Sequence, residues 1–307
     1  MISYGKQNIS KEDISAVVEV LKSDFLTQGP KIAEFENDLV NYCNVKYAKV
    51  VCNGTAALHL AYLSIGLKKN DIVWTTPNTF VATANAALYC GAKVEFIDID
   101  AKTYNLSIKH LKEKLIKAKK ENNLPKLVVP VHFAGQSCEM EKIWQLAKKY
   151  NFKVVEDACH ALGAEYKGKK VGSCQYSDAA IFSFHPVKII TTGEGGAVVT
   201  NDKSIDEKIK LLRSHGITKD SSKFTNKSHG GWYYEQQELG FNYRMTDIQA
   251  VLGISQLKRL NVFVEKRRII AKRYNEELEN VTLPYQHPDT KSSWHLYVIK
   301  TKNRKKL

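Results

Sequence analysis

The stretch SFHPVKIITTGEGGAVVT, residues 183–200, sets one lysine, Lys188, between His185 and a glycine-rich turn, with Ser183, Thr191 and Thr192 around it. An apolar run, 178–182, precedes it and another, 196–200, follows it. Most lysines sit on solvated surfaces. A lysine brought out of a buried strand and desolvated gives up its proton readily and attacks carbonyl groups.

Three further segments can share a site with it. In NGTAALHL, residues 53–60, Gly54 permits a tight turn while Thr55 and Ala56 open a helix. Free N–H groups and a hydroxyl at such a helix start suit a phosphate, although the same residues also serve as simple caps. Asp157 ends an apolar run in EDACHALGAEY, with His160 three residues on. A carboxylate there can hold a proton on a heterocyclic nitrogen, or pair with a cation, or cap a helix. His160 can face the same cavity or be merely packed. Phe80, in TTPNTFVATANA, can cover a flat ring or fill the core. Taken together, a nucleophilic lysine, a phosphate cradle, an acid for a ring nitrogen and an aromatic lid describe one cofactor, pyridoxal 5′-phosphate, which proteins hold through a Schiff-base lysine and an acidic partner for the pyridinium.

The elements that must position these groups alternate from residue 47 onward. YAKVV, DIVWTT, VEFIDID, KLVVPVHF and FKVVEDA read as strands; TAALHLAYLSIGL, FVATANAALYCGA, IKHLKEKLIKAKK and EMEKIWQLAKKY read as the helices between them. Short, continuously apolar strands suit a sheet covered on both faces, and helix-length crossovers imply parallel neighbours. The expectation is an α/β domain with a mainly parallel central sheet whose ligand gathers at the carboxyl ends of the strands. From Thr246 the pattern changes to the helical stretches TDIQAVLGISQLKRL and FVEKRRIIAKRYNEELE, followed by WHLYVIKT as a strand and a basic tail. This reads as the opening of a smaller second domain.

The bulk composition excludes several classes. With 307 residues, 43% hydrophobic and 25% charged, the chain is of globular type. Its N-terminus lacks the apolar core of a signal peptide and no run approaches the ~18 apolar residues of a membrane span, which points to the cytoplasm and to no membrane partner. Six cysteines without a CxxC pair argue against a metal site and against a disulfide framework. The net charge of +14 is spread along amphipathic segments such as 111–120 and 203–210. No nucleic-acid module accompanies it; a nucleotide-bearing substrate is compatible with its sign.

The motifs NGTAAL, TPNTFVATANA, VHFAGQ, EDACHALGAEY, SFHPVKIITTGEGGAVVT, LRSHG and GFNYRMTDIQAVLG, in this order, resemble those of the DegT-type nucleotide-sugar aminotransferases, from about Tyr4 to Tyr297. The resemblance implies the fold type I of pyridoxal-phosphate enzymes, with a large cofactor domain over 1–245, its segment 1–30 near the substrate, and a small domain over 246–307. Family members continue past the WHLY strand, so the small domain is expected to be incomplete. Residue by residue, it implies Lys188 as the Schiff-base lysine, Asp157 at the pyridine nitrogen, His160 beside the ring hydroxyl, Phe80 stacked on the ring, and Thr55, Ala56 and Ser183 at the phosphate. Asn242 is expected to reach across a homodimer interface. Tyr4, Asp24, Phe25, Leu26, Thr27 and His185 are expected on the substrate side. The implied reaction moves the amino group of L-glutamate to the 4-keto group of a UDP-linked 4-keto-6-deoxy-N-acetyl sugar. Three alternatives stay open: another nucleotide-sugar aminotransferase of the same family, a sugar dehydratase of that family, in which histidine replaces the lysine, and a non-catalytic protein using the same fold.

Overall fold

The apolar runs form the expected sheet. The computed structural model describes residues 5–302 and 304–306. Seven strands make the central sheet: β1 (Tyr47–Val51), β2 (Ile72–Thr75), β3 (Lys93–Phe96), β4 (Leu127–Val129), β5 (Lys153–Asp157), β6 (Ala179–Ser183) and β7 (Gly196–Thr200). Their order is β1-β7-β6-β5-β4-β2-β3. From β3 through β2, β4 and β5 to β6 the neighbours are parallel. β7 runs antiparallel to both β6 and β1, because the connection 184–195 contains no crossover helix to carry the chain back. Two reversals leave β1 parallel to β6. The carboxyl ends of β1, β2, β5 and β6 therefore open on one edge, the edge where such sheets bind ligands.

The described helices are α1 (Lys11–Leu21), α2 (Pro30–Cys43), α3 (Gly54–Ser64), α4 (Ala82–Tyr89), α5 (Ile108–Lys120), α6 (Met140–Tyr150), α7 (Lys203–Leu212), α8 (Asp247–Lys258) and α9 (Leu260–Glu277). They cover both faces. Phe182 packs with Phe35 and Leu39 of α2, Ile254 of α8 and Leu260 of α9. Its neighbour Ile181 packs with Leu58 and Leu60 of α3 and Ile209 of α7. Likewise Val154 joins Leu111, Leu115 and Ile143 under α5 and α6, whereas Val155 joins the α3 side. Successive strand residues point to opposite faces, so a sheet buried on both sides reads as an unbroken apolar run.

One expected element is absent. WHLYVIKT forms no strand; of it, Lys300 alone pairs, with Thr282. The stretch 293–296 instead docks on the loop after β4, where the amides of Ser293 and Leu296 donate to the carbonyls of Gly135 (3.1 Å) and Ala134 (3.2 Å). Its apolar residues mark burial against a loop rather than a ladder. The expected strand 126–133 is also shorter, because Pro130 has no N–H to donate.

Gly196 sits between two strands at the critical edge, paired with Val51 on one side and Ser183 on the other. A Cβ there would lie 2.6 Å from the Asn53 carbonyl oxygen and 2.9 Å from the Gly54 amide nitrogen. Gly196→Ala should therefore lower stability by about 1–3 kcal/mol, read as a lower urea midpoint. Gly231→Ala, where an added Cβ meets nothing within 4 Å, should leave the midpoint unchanged.

Candidate active site

A cleft of about 720 Å³ opens at the shared carboxyl edge. Lys188 projects from the connection between β6 and β7. That connection is closed by its own hydrogen bonds: Phe184 N donates to Gly195 O (2.8 Å), and Thr192 N to Phe184 O (3.0 Å). Thr191 Oγ1 donates to Phe184 O (3.0 Å), and Thr192 Oγ1 to Glu194 O (2.7 Å). The two threonines thus build the turn rather than face a ligand. The Lys188 amide donates to His185 O (2.8 Å). Its side chain is half-buried, lines the cleft, and has no hydrogen bond or ion pair among the described residues. No other lysine or arginine among them lines the cleft.

Asp157 ends β5 with 5% of its surface exposed. Its carboxylate accepts from Thr83 Oγ1 (2.7 Å) and from the Cys159 amide (3.2 Å). Thr83 in turn lies 2.7 Å from Thr79 Oγ1. All these partners are neutral, and Asp157 has no ion pair among the described residues. A buried carboxylate without a cation is costly unless a ligand supplies one. A protonated heterocyclic nitrogen meets that need.

At the third corner, Asn53 caps α3 by accepting from the Ala56 amide (2.8 Å). The amides of Gly54 and Thr55 have no partners among the described residues at the cleft wall. A Cβ on Gly54 would come within 3.0 Å of Ser183 Cβ, so glycine is what lets the serine hydroxyl stand beside the helix start. This arrangement can hold a phosphate through backbone amides and hydroxyls. Ala56 is buried behind this wall.

Phe80 stands at the rim with 71% of its surface exposed. Opposite it, His160 packs on His295, their ring centroids 4.3 Å apart and tilted by 38°. Burial first, then the positive charge of Lys188, pushes the His160 imidazole down to about 4, opposed by Asp157. Burial, aided by His160, Lys188 and Arg267, pushes His295 down to about 2. Both rings are neutral near pH 7.

The cleft therefore gathers Thr55, Phe80, Asp157, His160, Ser183, His185 and Lys188. Asn242 does not line it; it is exposed and bridges to Ser214. Asp24 and Phe25 line a separate groove with α1, α2 and α8, Leu26 O accepts from the Asp247 amide (3.0 Å), and Thr27 bridges to Thr246. Tyr4 lies outside the described residues. Sequence reasoning missed Thr83, Phe133, Cys159 and His295 as cleft residues. Thr83 was within reach, since it is one helical turn after Thr79 in a motif already singled out. His295 was not, because its neighbours in the chain carry no cue that they fold onto the loop 133–135.

An amine and a cation-free buried carboxylate, set at the carboxyl edge of this sheet beside an open helix start, define a pyridoxal 5′-phosphate-dependent transferase of fold type I. The chain belongs to the DegT/DnrJ/EryC1/StrS aminotransferase family, whose model matches residues 7–307. It is 50% identical, over 97% of its length and 76% of the relative's, to the UDP-4-amino-4,6-dideoxy-N-acetyl-β-L-altrosamine transaminase of Campylobacter jejuni subsp. jejuni serotype O:23/36. Among solved structures, Helicobacter pylori PseC, an aminotransferase involved in the biosynthesis of pseudoaminic acid, superposes with a TM-score of 0.89 at 38% identity, over 99% of this chain and 80% of that one. The PMP-form of the Streptococcus pneumoniae sugar aminotransferase Spr1654 gives 0.86 at 28% identity, over 98% and 79%. No described helix is long and apolar enough to cross a membrane.

His160 ties stability to pH. Its imidazole takes a proton near 6.5 when unfolded and only near 4 when folded. Between these values the unfolded chain binds more protons, so stability falls as pH falls through this window. His160→Gln should make that decline shallower, which urea midpoints collected from pH 7 to pH 4 will show.

Proposed function

We propose that this chain is a UDP-4-amino-4,6-dideoxy-N-acetyl-β-L-altrosamine transaminase, moving the amino group of L-glutamate to C4 of a UDP-linked 4-keto-6-deoxy-N-acetyl sugar in the cytoplasm. The observation that carries the chemistry is the unpartnered Lys188 amine in one cleft with the buried, cation-free Asp157. The identity of the sugar rests on the half-identical relative. Lys188 is present where the dehydrating members carry histidine, which favours amine transfer.

Pyridoxal 5′-phosphate supplies an aldehyde to receive the amino group and a ring to hold the electrons released at the reacting carbon. Everything else falls to side chains. Lys188 Nζ would hold the cofactor through its amine and, once free, would act as general base toward the proton on the donor α-carbon. The same Nζ would deliver a proton to C4 of the sugar. Asp157, oriented by Thr83, would keep the ring nitrogen protonated. Gly54, Thr55 and Ser183, with Ala56 behind them, would hold the phosphate, Phe80 would cover the ring, and His160 would meet the ring hydroxyl. His185 stands on the substrate side.

The active unit in this reading is a homodimer. Asn242 and Asp24–Thr27 lie outside the chain's own cleft, as residues serving a neighbour's site would. Val81, Leu88 and Tyr89 are more than half exposed along one stretch of sequence, and exposed apolar residues of that kind fit a protein partner. Residues 1–245 form the cofactor domain, with 246–307 opening the small domain.

The test loads the protein with pyridoxal 5′-phosphate and follows its visible absorbance. Wild type should shift its band on addition of L-glutamate and recover it on addition of the UDP-4-keto sugar, with the 4-amino sugar as product. Lys188→Arg keeps the charge but should lose both the band of the bound cofactor and turnover; normal turnover in that variant would falsify the assignment.

A further inference from the structure

VHFAGQ, residues 131–136, was singled out in the sequence, yet no step of the reaction uses it. Its backbone explains its presence. Ala134 and Gly135 adopt φ of 58° and 98°, and a Cβ on Gly135 would lie 2.7 Å from Ser293 Oγ and 2.9 Å from the amides of Trp294 and His295. Glycine is what lets the segment 292–296 dock here. The docked segment is held from several sides. Ser293 Oγ donates to His160 O (3.0 Å), and Arg267 Nη1 donates to the carbonyls of Trp294 and His295 (3.2 Å each). The result is a histidine from the start of the second domain, 7% exposed, in the wall of the cofactor cleft.

The ring nitrogens of His295 differ. Nδ1 is sealed from solvent and has no hydrogen-bond partner among the described residues. A neutral imidazole carries its proton on one nitrogen only, and a sealed N–H without an acceptor is rarer and costlier than a sealed lone pair. The proton therefore resides on Nε2, which is not among the sealed atoms. His160 shows the same pattern, with its own Nδ1 sealed and unpartnered. Two neutral imidazoles that line the cleft thus each carry their one N–H on Nε2.

We propose that His295 is a substrate-contacting residue whose Nε2–H donates to an uncharged oxygen, a hydroxyl or the keto oxygen, of the sugar being aminated. A carboxylate is matched by a cation, and His295 is held neutral by its burial and by the charges of Lys188 and Arg267. The sugar is therefore the better fit than the glutamate carboxylates. This rests on the transaminase reading above, and deepens it by assigning recognition of the second substrate.

The experiment uses the cofactor-loaded protein, His295→Phe, which keeps a flat ring against His160 but removes the donor, and His295→Gln, which restores a neutral N–H. Calorimetry with UDP-N-acetylglucosamine, an unreactive analogue bearing a hydroxyl at C4, should give a Kd about tenfold weaker for His295→Phe and partly recovered for His295→Gln, the size expected for one hydrogen bond. The Kd for UDP alone should not change. In rapid-mixing absorbance, the L-glutamate half-reaction should stay within about twofold of wild type while the sugar half-reaction slows about tenfold or more. An unchanged Kd for UDP-N-acetylglucosamine, equal weakening of UDP itself, or equal slowing of both half-reactions overturns the proposal. A wild-type band that ignores L-glutamate sinks the transaminase reading instead, and the calorimetric titration still decides His295.

Discussion

A carboxylate buried at the end of a parallel strand, supplied with neutral donors and no cation, is the constraint around which this molecule is arranged. Asp157 keeps one hydroxyl and one amide as partners, enough to orient it and too little to satisfy its charge in a low dielectric. That deficit is what a protonated ring nitrogen relieves. It also dictates the surroundings. The strands on either side must be buried on both faces, so that the carboxylate stays out of water. The amine that completes the pair must come from another strand end, and it does, from the turn between β6 and β7.

The same economy of charge marks the rest of the cleft. Lys188 is its one lysine or arginine among the described residues, the imidazoles of His160 and His295 are neutral, and the wall at α3 offers amides rather than cations. Of the residues behind the +14 net charge, Lys188 alone among those described lines the cleft, and the rest of the site is left to hydrogen-bond geometry.

The glycine-rich turn is held in place from below by the start of α8. Thr246 and Gln249 cap each other, and Gln249 Nε2 donates to Glu194 O (2.8 Å), the carbonyl that Thr192 also holds. Asp247, fully buried, accepts from the amides of Gly29 (2.8 Å) and Lys31 (3.0 Å). One helix start thus joins the N-terminal loop 24–29 to the turn that carries Lys188. Thr246, Asp247 and Gln249 of the motif GFNYRMTDIQAVLG act through this brace.

What the sequence determined by itself was local and periodic. Unbroken apolar strands, helix-length crossovers and chemically distinctive residues at strand ends suffice to give the parallel sheet, its ligand edge, Lys188, Asp157 and the helix start at Gly54, because each is written in neighbouring residues. The tertiary structure decided what depends on segments far apart in the chain. It turned WHLYVIKT from a strand into a docked loop, since a strand needs a partner that the sequence does not name. It placed Ala56 behind the wall, because Asn53 had already taken its amide. It also brought His295 against His160, a contact set by the left-handed backbone at Ala134 and Gly135 and visible in no pattern of residue types.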